Sequence, residues 1–533
     1  MRKRLTHILA FLLPALAAFY LGWVAHGRAL VDLDTVAAMG NAWRVFHWQD
    51  AANMALIGFD QPPLMALLFV PLAAFVPRAL VSGLAAPVLG ALFLGLSTLV
   101  LWRLSRSLGL PWWVAGVVCA GFTAHPLVLS YAMLGARGIV LTFVLLGLAA
   151  SLVSWHREQR VRDIVTGSFF AAAAILLAYE TVAVLLMAAL YLGAHCRTAP
   201  ERRAAKAEGL LVAFLMPAAY VALVWIGANW AIMGDPWHFW PKHQEAATGD
   251  ISATLSGALA VALAACPLLL ALLYHGLRGR RAGFAAPAAW LVLAALAAVL
   301  VFPQRPGSVA DPYRWTGLGA LAACALGVGA ALLVALLAQL WAARREGSLR
   351  QVLSPGLLII ACGSLYLAWG QQVQQHVLPV GFRTVLRGQP AFAKPVGGEW
   401  ATGDRLRGAL APDRHHVIAG PTAYVVALRA EAKQNVFVSP TSQAQPGVPH
   451  GDLGEGSLVV VYDAAQDVWA SWQAQKLDLM LDHRWRHEAD GSKWHRHAWG
   501  CYQFVPLETW RRGHPGHRGA TILREAPHAH SRR

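Results

Sequence analysis

Charge is scarce in this chain. Asp, Glu, Lys and Arg make up only 14% of its 533 residues, whereas 57% are hydrophobic and the mean hydropathy is +0.47. Soluble domains carry about 25% charged residues, so the deficit excludes an ordinary soluble protein and leaves a polytopic membrane protein. Acid is scarcer still: 28 Asp and Glu stand against 44 Lys and Arg, a net charge of +16. In a soluble protein that surplus would suggest nucleic acid. Here the positive-inside rule and anionic lipid headgroups account for it, and no nucleic-acid partner is expected.

Other absences narrow the class further. Of six cysteines, Cys119, Cys196, Cys266, Cys324 and Cys362 fall in apolar runs, where cysteine acts as a small core residue. Cys501 is left alone in the polar region, so no disulfide framework is indicated. No Walker-type glycine loop occurs, which leaves an ATP-driven pump without support. Histidine-rich spots such as Trp494-His495-Arg496-His497 and His528-Ala529-His530 lack the paired spacing of a zinc site. No solenoid-type repeat is visible.

What the chain has is long apolar runs. Spans need roughly 17–25 residues, and runs of that kind lie at about 5–27, 80–103, 110–128, 135–154, 209–230, 253–275, 284–302, 316–341 and 353–370. The run at 163–196 is long enough for two crossings broken at Tyr179-Glu180-Thr181, giving about eleven in all. Met1-Arg2-Lys3-Arg4 and the Ala15-Leu16-Ala17 that follows resemble a signal peptide. The apolar run continues to Ala25, beyond a usual h-region, and favours a retained helix.

If these spans alternate, the clusters at Arg2–Arg4, Arg103/Arg106, Arg157–Arg162, Arg197–Lys206, Arg278–Arg281 and Arg344–Arg350 share one side. Positive loops mark the cytoplasm. The expected setting is a bacterial inner membrane, with the N-terminus cytoplasmic. The opposite, exported side then receives an acidic loop at 28–79, loops around 231–252 and 303–315, and everything after about 371. Residues 62–76 are apolar but short and hold three prolines, which suits a re-entrant or interfacial helix rather than a span.

After 371 the texture becomes that of a soluble domain. His415–Gly420, Asn435–Val438 and Leu458–Asp463 read as buried strands with helical patterns at 421–432 and 464–476, which suggests a small α/β domain over 371–507. The tail 508–533 is basic, poor in apolar residues and expected to be disordered.

Four exported pieces carry unusual polar content. In the first loop, Asp32-Leu33-Asp34 precedes a helical pattern, Asp50 lies in the loop, and Asp60-Gln61-Pro62-Pro63-Leu64 closes it. Helix capping by Asp34 or Thr35 and solvated acids are the bland reading. Arg137, in Ser130–Gly138, breaks the positive-inside pattern, and either snorkels to headgroups or grips a phosphate. Asn229 with Gly234-Asp235-Pro236 sits among tryptophans suited to an interfacial belt, where Asp235 shapes the turn or binds substrate. Arg305 and Arg314 present planar forks beside the membrane, suited to phosphate oxygens or to lipid headgroups. Glu180, at the expected hairpin turn, is a further candidate because acids at membrane depth are seldom idle.

In order and spacing, residues 1–370 resemble the GT-C class of integral-membrane glycosyltransferases, in particular the aminoarabinose and protein mannosyl transferases. The resemblance rests on the early acid Asp34 with Asp32 beside it, the close Asp60-Gln61-Pro62-Pro63-Leu64, Arg137, Asn229 with Gly234-Asp235-Pro236, and a terminal domain outside. It implies a sugar moved from a polyprenyl-phosphate donor to a lipid, glycan or protein hydroxyl at the exported face. Asp34 would be the general base with Asp32 as helper, and Arg137, Arg305 and Arg314 the phosphate ligands. Family members often carry two adjacent acids, whereas Asp34 is followed by Thr35. The need for a divalent cation and the identity of the base therefore stay open. A transporter or flippase for a lipid-linked saccharide is the alternative, but it would place polar residues near mid-bilayer and often show two related halves.

Overall fold

The computed structural model describes residues 2–47, 62–107, 112–124, 126–179, 181–198, 204–239, 394–395, 397–411, 413–419, 422–432, 436–439, 455–462, 479–488, 498–506, 508–509 and 512. The four expected spans between 253 and 370 lie outside these residues. In chain order the described elements are α1 (Arg2–Gly27), β1 (Leu30–Val31), α2 (Leu33–His47), α3 (Leu64–Phe75), α4 (Pro77–Ser82) and α5 (Ala85–Ser107). Next come α6 (Trp112–Ala124), α7 (Pro126–Leu134), α8 (Arg137–Glu158), α9 (Val161–Ile175), α10 (Thr181–Thr198) and α11 (Ala204–Met233). The C-terminal part has β2 (Lys394–Pro395), α12 (Gly397–Leu406), β3 (His416–Ala419), α13 (Ala423–Arg429), β4 (Val436–Ser439), β5 (Leu458–Tyr462), β6 (Leu479–Glu488) and β7 (Ala498–Pro506).

The chain divides into two compact units. One comprises Met1–Gly27, Gly58–Leu67 and Ala85–Ala393, the other Arg28–Ile57, Leu68–Leu84 and Lys394–Arg533. In the first, α5 and α8 are the central helices: α1 and α7 pack on α5, α9 on α8, and α11 on α9 and α10. Among the described residues four helices are long and apolar enough to span a membrane: Leu5–Gly27, Ala85–Ser107, Arg137–Glu158 and Glu208–Met233. This is a polytopic helical membrane protein.

The apolar run expected at 110–128 is instead broken into α6 and α7. Pro126 lacks the N–H that would continue the helical ladder, which accounts for a break there. At twelve residues, α3 is about 18 Å long, short of the roughly 30 Å hydrocarbon core. Four buried hydroxyls inside the spans are satisfied within their own helices, whereas that of Ser105, also buried in α5, has no hydrogen-bond partner among the described residues. Ser97 donates to Phe93 O, Thr98 to Leu94 O, Thr142 to Gly138 O and Ser151 to Gly147 O, each at 2.7–2.8 Å.

The second unit is built on a five-stranded sheet in the order β4-β3-β5-β7-β6. β3 runs parallel to β4 and β5, and β7 runs antiparallel to β5 and β6. Leu406, Ile418, Val426, Val436, Leu458 and Val460 form its core. His416, fully buried in β3, ties the sheet to the preceding loop. Its Nδ1 accepts from Leu458 N at 2.9 Å, so Nε2 carries the proton and donates to Ala411 O at 3.0 Å. The same unit contains α2, which packs on α13, and the antiparallel pair β1–β2, with Leu30 opposite Pro395 and Val31 opposite Lys394.

Candidate functional site

In the first unit, the residues that position Arg137 are two glycines. The chain leaves α7 through Gly135, whose φ of +63° is a conformation L side chains rarely adopt. Gly135 N bonds Ala132 O at 3.2 Å and Ala136 N bonds Tyr131 O at 2.9 Å, a left-handed helix end. A Cβ at Gly135 would overlap the Ala86 carbonyl of α5, and one at Gly90 would overlap the Ala132 carbonyl. With both side chains reduced to hydrogen, α7 and α5 touch backbone to backbone. Ala136 is extended and Arg137 opens α8, half-buried.

Arg137 Nη1 reaches the Leu177 carbonyl at 3.5 Å, in the turn after α9. The neighbouring carbonyl, Leu176 O, accepts from Leu64 N at 3.0 Å, which holds the start of α3 just after Pro62-Pro63. Two residues on, buried Tyr179 accepts a hydrogen bond from Trp225 Nε1 of α11 at 3.0 Å. Its ring also packs on Phe239, with centroids 4.9 Å apart. The end of α11 completes the cluster. Asn229 is fully buried; its Nδ2 donates to Trp225 O at 2.9 Å, while its Oδ1 has no hydrogen-bond partner among the described residues. Asp235 is exposed, and its Oδ1 accepts from Trp237 N at 2.9 Å, which shapes the turn after Gly234.

Thus the close of the first loop, the start of α8, the break after α9 and the end of α11 meet at one end of the helices. In the sequence, Arg137, the Pro62-Pro63 stretch, Asn229 and Asp235 stand out separately. The contact of Tyr179 with Trp225 leaves no such mark, because nothing in spacing pairs residues 46 apart.

Asp32 and Asp34 belong to the second unit. Asp32 is buried, and its Oδ2 accepts from Thr35 N at 3.0 Å and Thr35 Oγ1 at 2.5 Å. The cap of α2 is therefore Asp32 rather than Asp34 or Thr35. Asp34 lies in the first turn of α2, half-exposed. Further along α2, the Arg44 guanidinium lies 5.3 Å from the ring centroid of Tyr424 in α13, and Gly40 faces the same ring. Asp50, Asp60, Glu180, Arg305 and Arg314 lie outside the described residues. Among the described residues no group of three or more His, Cys, Asp or Glu is placed to hold a metal ion.

No protein-family model matches the chain, and no curated protein matches it. Solved structures do. The structure of ArnT from Cupriavidus metallidurans bound to undecaprenyl phosphate superposes with a TM-score of 0.55 at 15% identity, over 93% of this chain and 97% of that one. The apo form of ArnT gives 0.54 at 16% identity over the same shares. The archaeal oligosaccharyltransferase AglB from Archaeoglobus fulgidus, in complex with an inhibitory peptide and a dolichol-phosphate, gives 0.52 at 11% identity, over 96% of this chain and 77% of that one. The chain has the GT-C fold. The resemblance read from the loop motifs thus holds at the level of architecture. Within the GT-C fold, the glycine contact of α5 with α7 and the turn after α9 are what bring Arg137 beside the start of α3.

Proposed function

We propose that the chain is a glycosyltransferase that moves a sugar from a polyprenyl-phosphate-linked donor to an acceptor hydroxyl at the exported membrane face, with inversion. The observation that carries this reading is the turn after α9, whose adjacent carbonyls take Arg137 and Leu64, just after Pro62-Pro63, and whose Tyr179 bonds α11, in a chain whose likeness to a GT-C structure covers 93% of it. The likeness to a protein solved with undecaprenyl phosphate and another solved with dolichol-phosphate supports a lipid-linked donor. The lipid tail stays in the bilayer, and the anomeric carbon is presented at the surface.

In this reading Asp34 takes the proton from the acceptor hydroxyl as its oxygen attacks, and Asp32 holds the start of α2 that carries it. The arginines stabilise charge growing on the departing phosphate, Arg137 first and Arg305 and Arg314 after it. Asp60, Glu180 and Asp235 are assigned to substrate binding. The acceptor is a lipid, glycan or protein, and the setting is a bacterial inner membrane. The self-satisfied hydroxyls of Ser97, Thr98, Thr142 and Ser151 favour an enzyme over a transporter with a polar path through these spans.

The test is sugar release from a polyprenyl-phosphate donor in proteoliposomes. Asp34→Asn is expected to lower turnover by roughly 10²–10⁴, the range for losing a positioned base. Full turnover in that variant would remove Asp34 from the mechanism.

A further inference from the structure

An apolar groove of about 740 Å³ lies among α1, α5, α6 and α7 of the first unit. It runs from Thr6 to Leu21 along α1, fifteen residues or about 22 Å of helix. Half of a hydrocarbon core is about 15 Å, so the groove is longer than one leaflet. Its walls are carbon almost throughout, and Thr6, Trp102, Trp112 and Trp113 gather at one end while Leu21 and Leu129 lie toward the other. Tryptophans at one end of a membrane groove mark the level of the headgroups.

That end is also the basic one. Arg2, Lys3 and Arg4 precede Thr6, and Arg103 and Arg106 follow Trp102 within about one helical turn. It is the end of α5 away from the candidate site: Ala86 adjoins Gly135, and Trp102 lies sixteen residues further, about 24 Å along the helix. A polyprenyl-phosphate donor would need its phosphate at the Arg137 end. The charge here lies at the other.

We propose that this groove seats a hydrocarbon chain of one anionic glycerophospholipid, drawn from the leaflet at the basic end, with its phosphate at Arg103 and Arg106. The walls supply area for the chain, and the cations supply the preference for a negative headgroup. The inference rests on the membrane placement of these helices and not on the glycosyltransferase reading, so either stands if the other fails.

Native mass spectrometry of the full chain, purified in mild detergent and offered equal phosphatidylglycerol and phosphatidylethanolamine, tests it. The wild type is expected to keep one lipid through delipidation, with phosphatidylglycerol in excess. Gly116→Leu combined with Ala120→Phe fills the groove and is expected to cut retention at least about tenfold, since burying several methylenes is worth more than 1.4 kcal/mol. Arg103→Gln with Arg106→Gln leaves the groove open. It is expected to keep a lipid but to lose preference for phosphatidylglycerol by about fivefold per charge. Equal retention of the two lipids by the wild type would overturn the proposal, as would recovery of a polyprenyl phosphate in their place. Should the filled variant not accumulate, the arginine pair decides alone: an unchanged preference overturns the charge assignment and the proposal with it.

Discussion

Asp32 and His416 show how single buried polar groups fix the second unit. Asp32 closes two donors at the start of α2, the backbone N–H and the hydroxyl of Thr35. Asp32→Ala is expected to cost about 1 kcal/mol of local stability, and Asp32→Asn less. Hydrogen exchange of the α2 amides in the full chain measures it, with Thr35→Val as a partial version. His416 is held neutral because burial pushes its pKa below the ordinary value, and a proton on Nδ1 would face the Leu458 N–H. A lowered folded-state pKa means that the unfolded chain binds more protons. The contribution of His416 is therefore complete above about pH 6.5 and is lost as pH falls through its folded value. Protection from exchange at β3 and β5, corrected for the intrinsic rate, should fall from neutral to mildly acid pH, and His416→Gln should flatten that dependence.

At the scale of elements, the turn from α7 into α8 carries the strictest requirement. Gly135→Ala puts a methyl at a left-handed residue and into the Ala86 carbonyl. The backbone term alone is about 1–2 kcal/mol, and the overlap adds to it. A lower unfolding midpoint in detergent is expected, together with reduced sugar transfer because Arg137 starts the next helix. Gly227→Ala, with nothing within 4 Å of the added Cβ, is the control and should be neutral or slightly stabilising.

These elements also show what was legible in the sequence. The four span-length helices α1, α5, α8 and α11 were, since a long apolar run admits few other structures in lipid. So were β3, β4 and β5, which pair in parallel; the consecutive buried residues 416–418 in β3 and 458–460 in β5 leave no polar alternation and write a continuous apolar run, as in Leu458-Val459-Val460. The β6–β7 hairpin was not, because in Leu479–Glu488 the strand signal is diluted by Asp482, His483, Arg484, Arg486 and His487. Arg137 stood out by charge alone. Its partner, the Leu177 carbonyl, is backbone and leaves no trace in residue type.

At the scale of the whole molecule, the pairing of β1 with β2 constrains topology. Leu30 and Val31 bond to Pro395 and Lys394 as neighbouring strands, which is possible only if both segments lie on one side of the membrane. The number of crossings between residues 31 and 394 must then be even. The about eleven spans expected from the sequence, the first ending before residue 28, would leave ten in that interval, an even number. One further crossing by residues 62–76 would break it, and so would the loss of a single span between 253 and 370. Single cysteines at Phe46 in α2 and at Asp413 before β3, both exposed, should react alike with a membrane-impermeant maleimide in intact cells. If the positive clusters mark the cytoplasm, both should be labelled from outside. Labelling of one but not the other would contradict the β1–β2 pairing itself. Protection of both would keep the pairing and reverse the orientation.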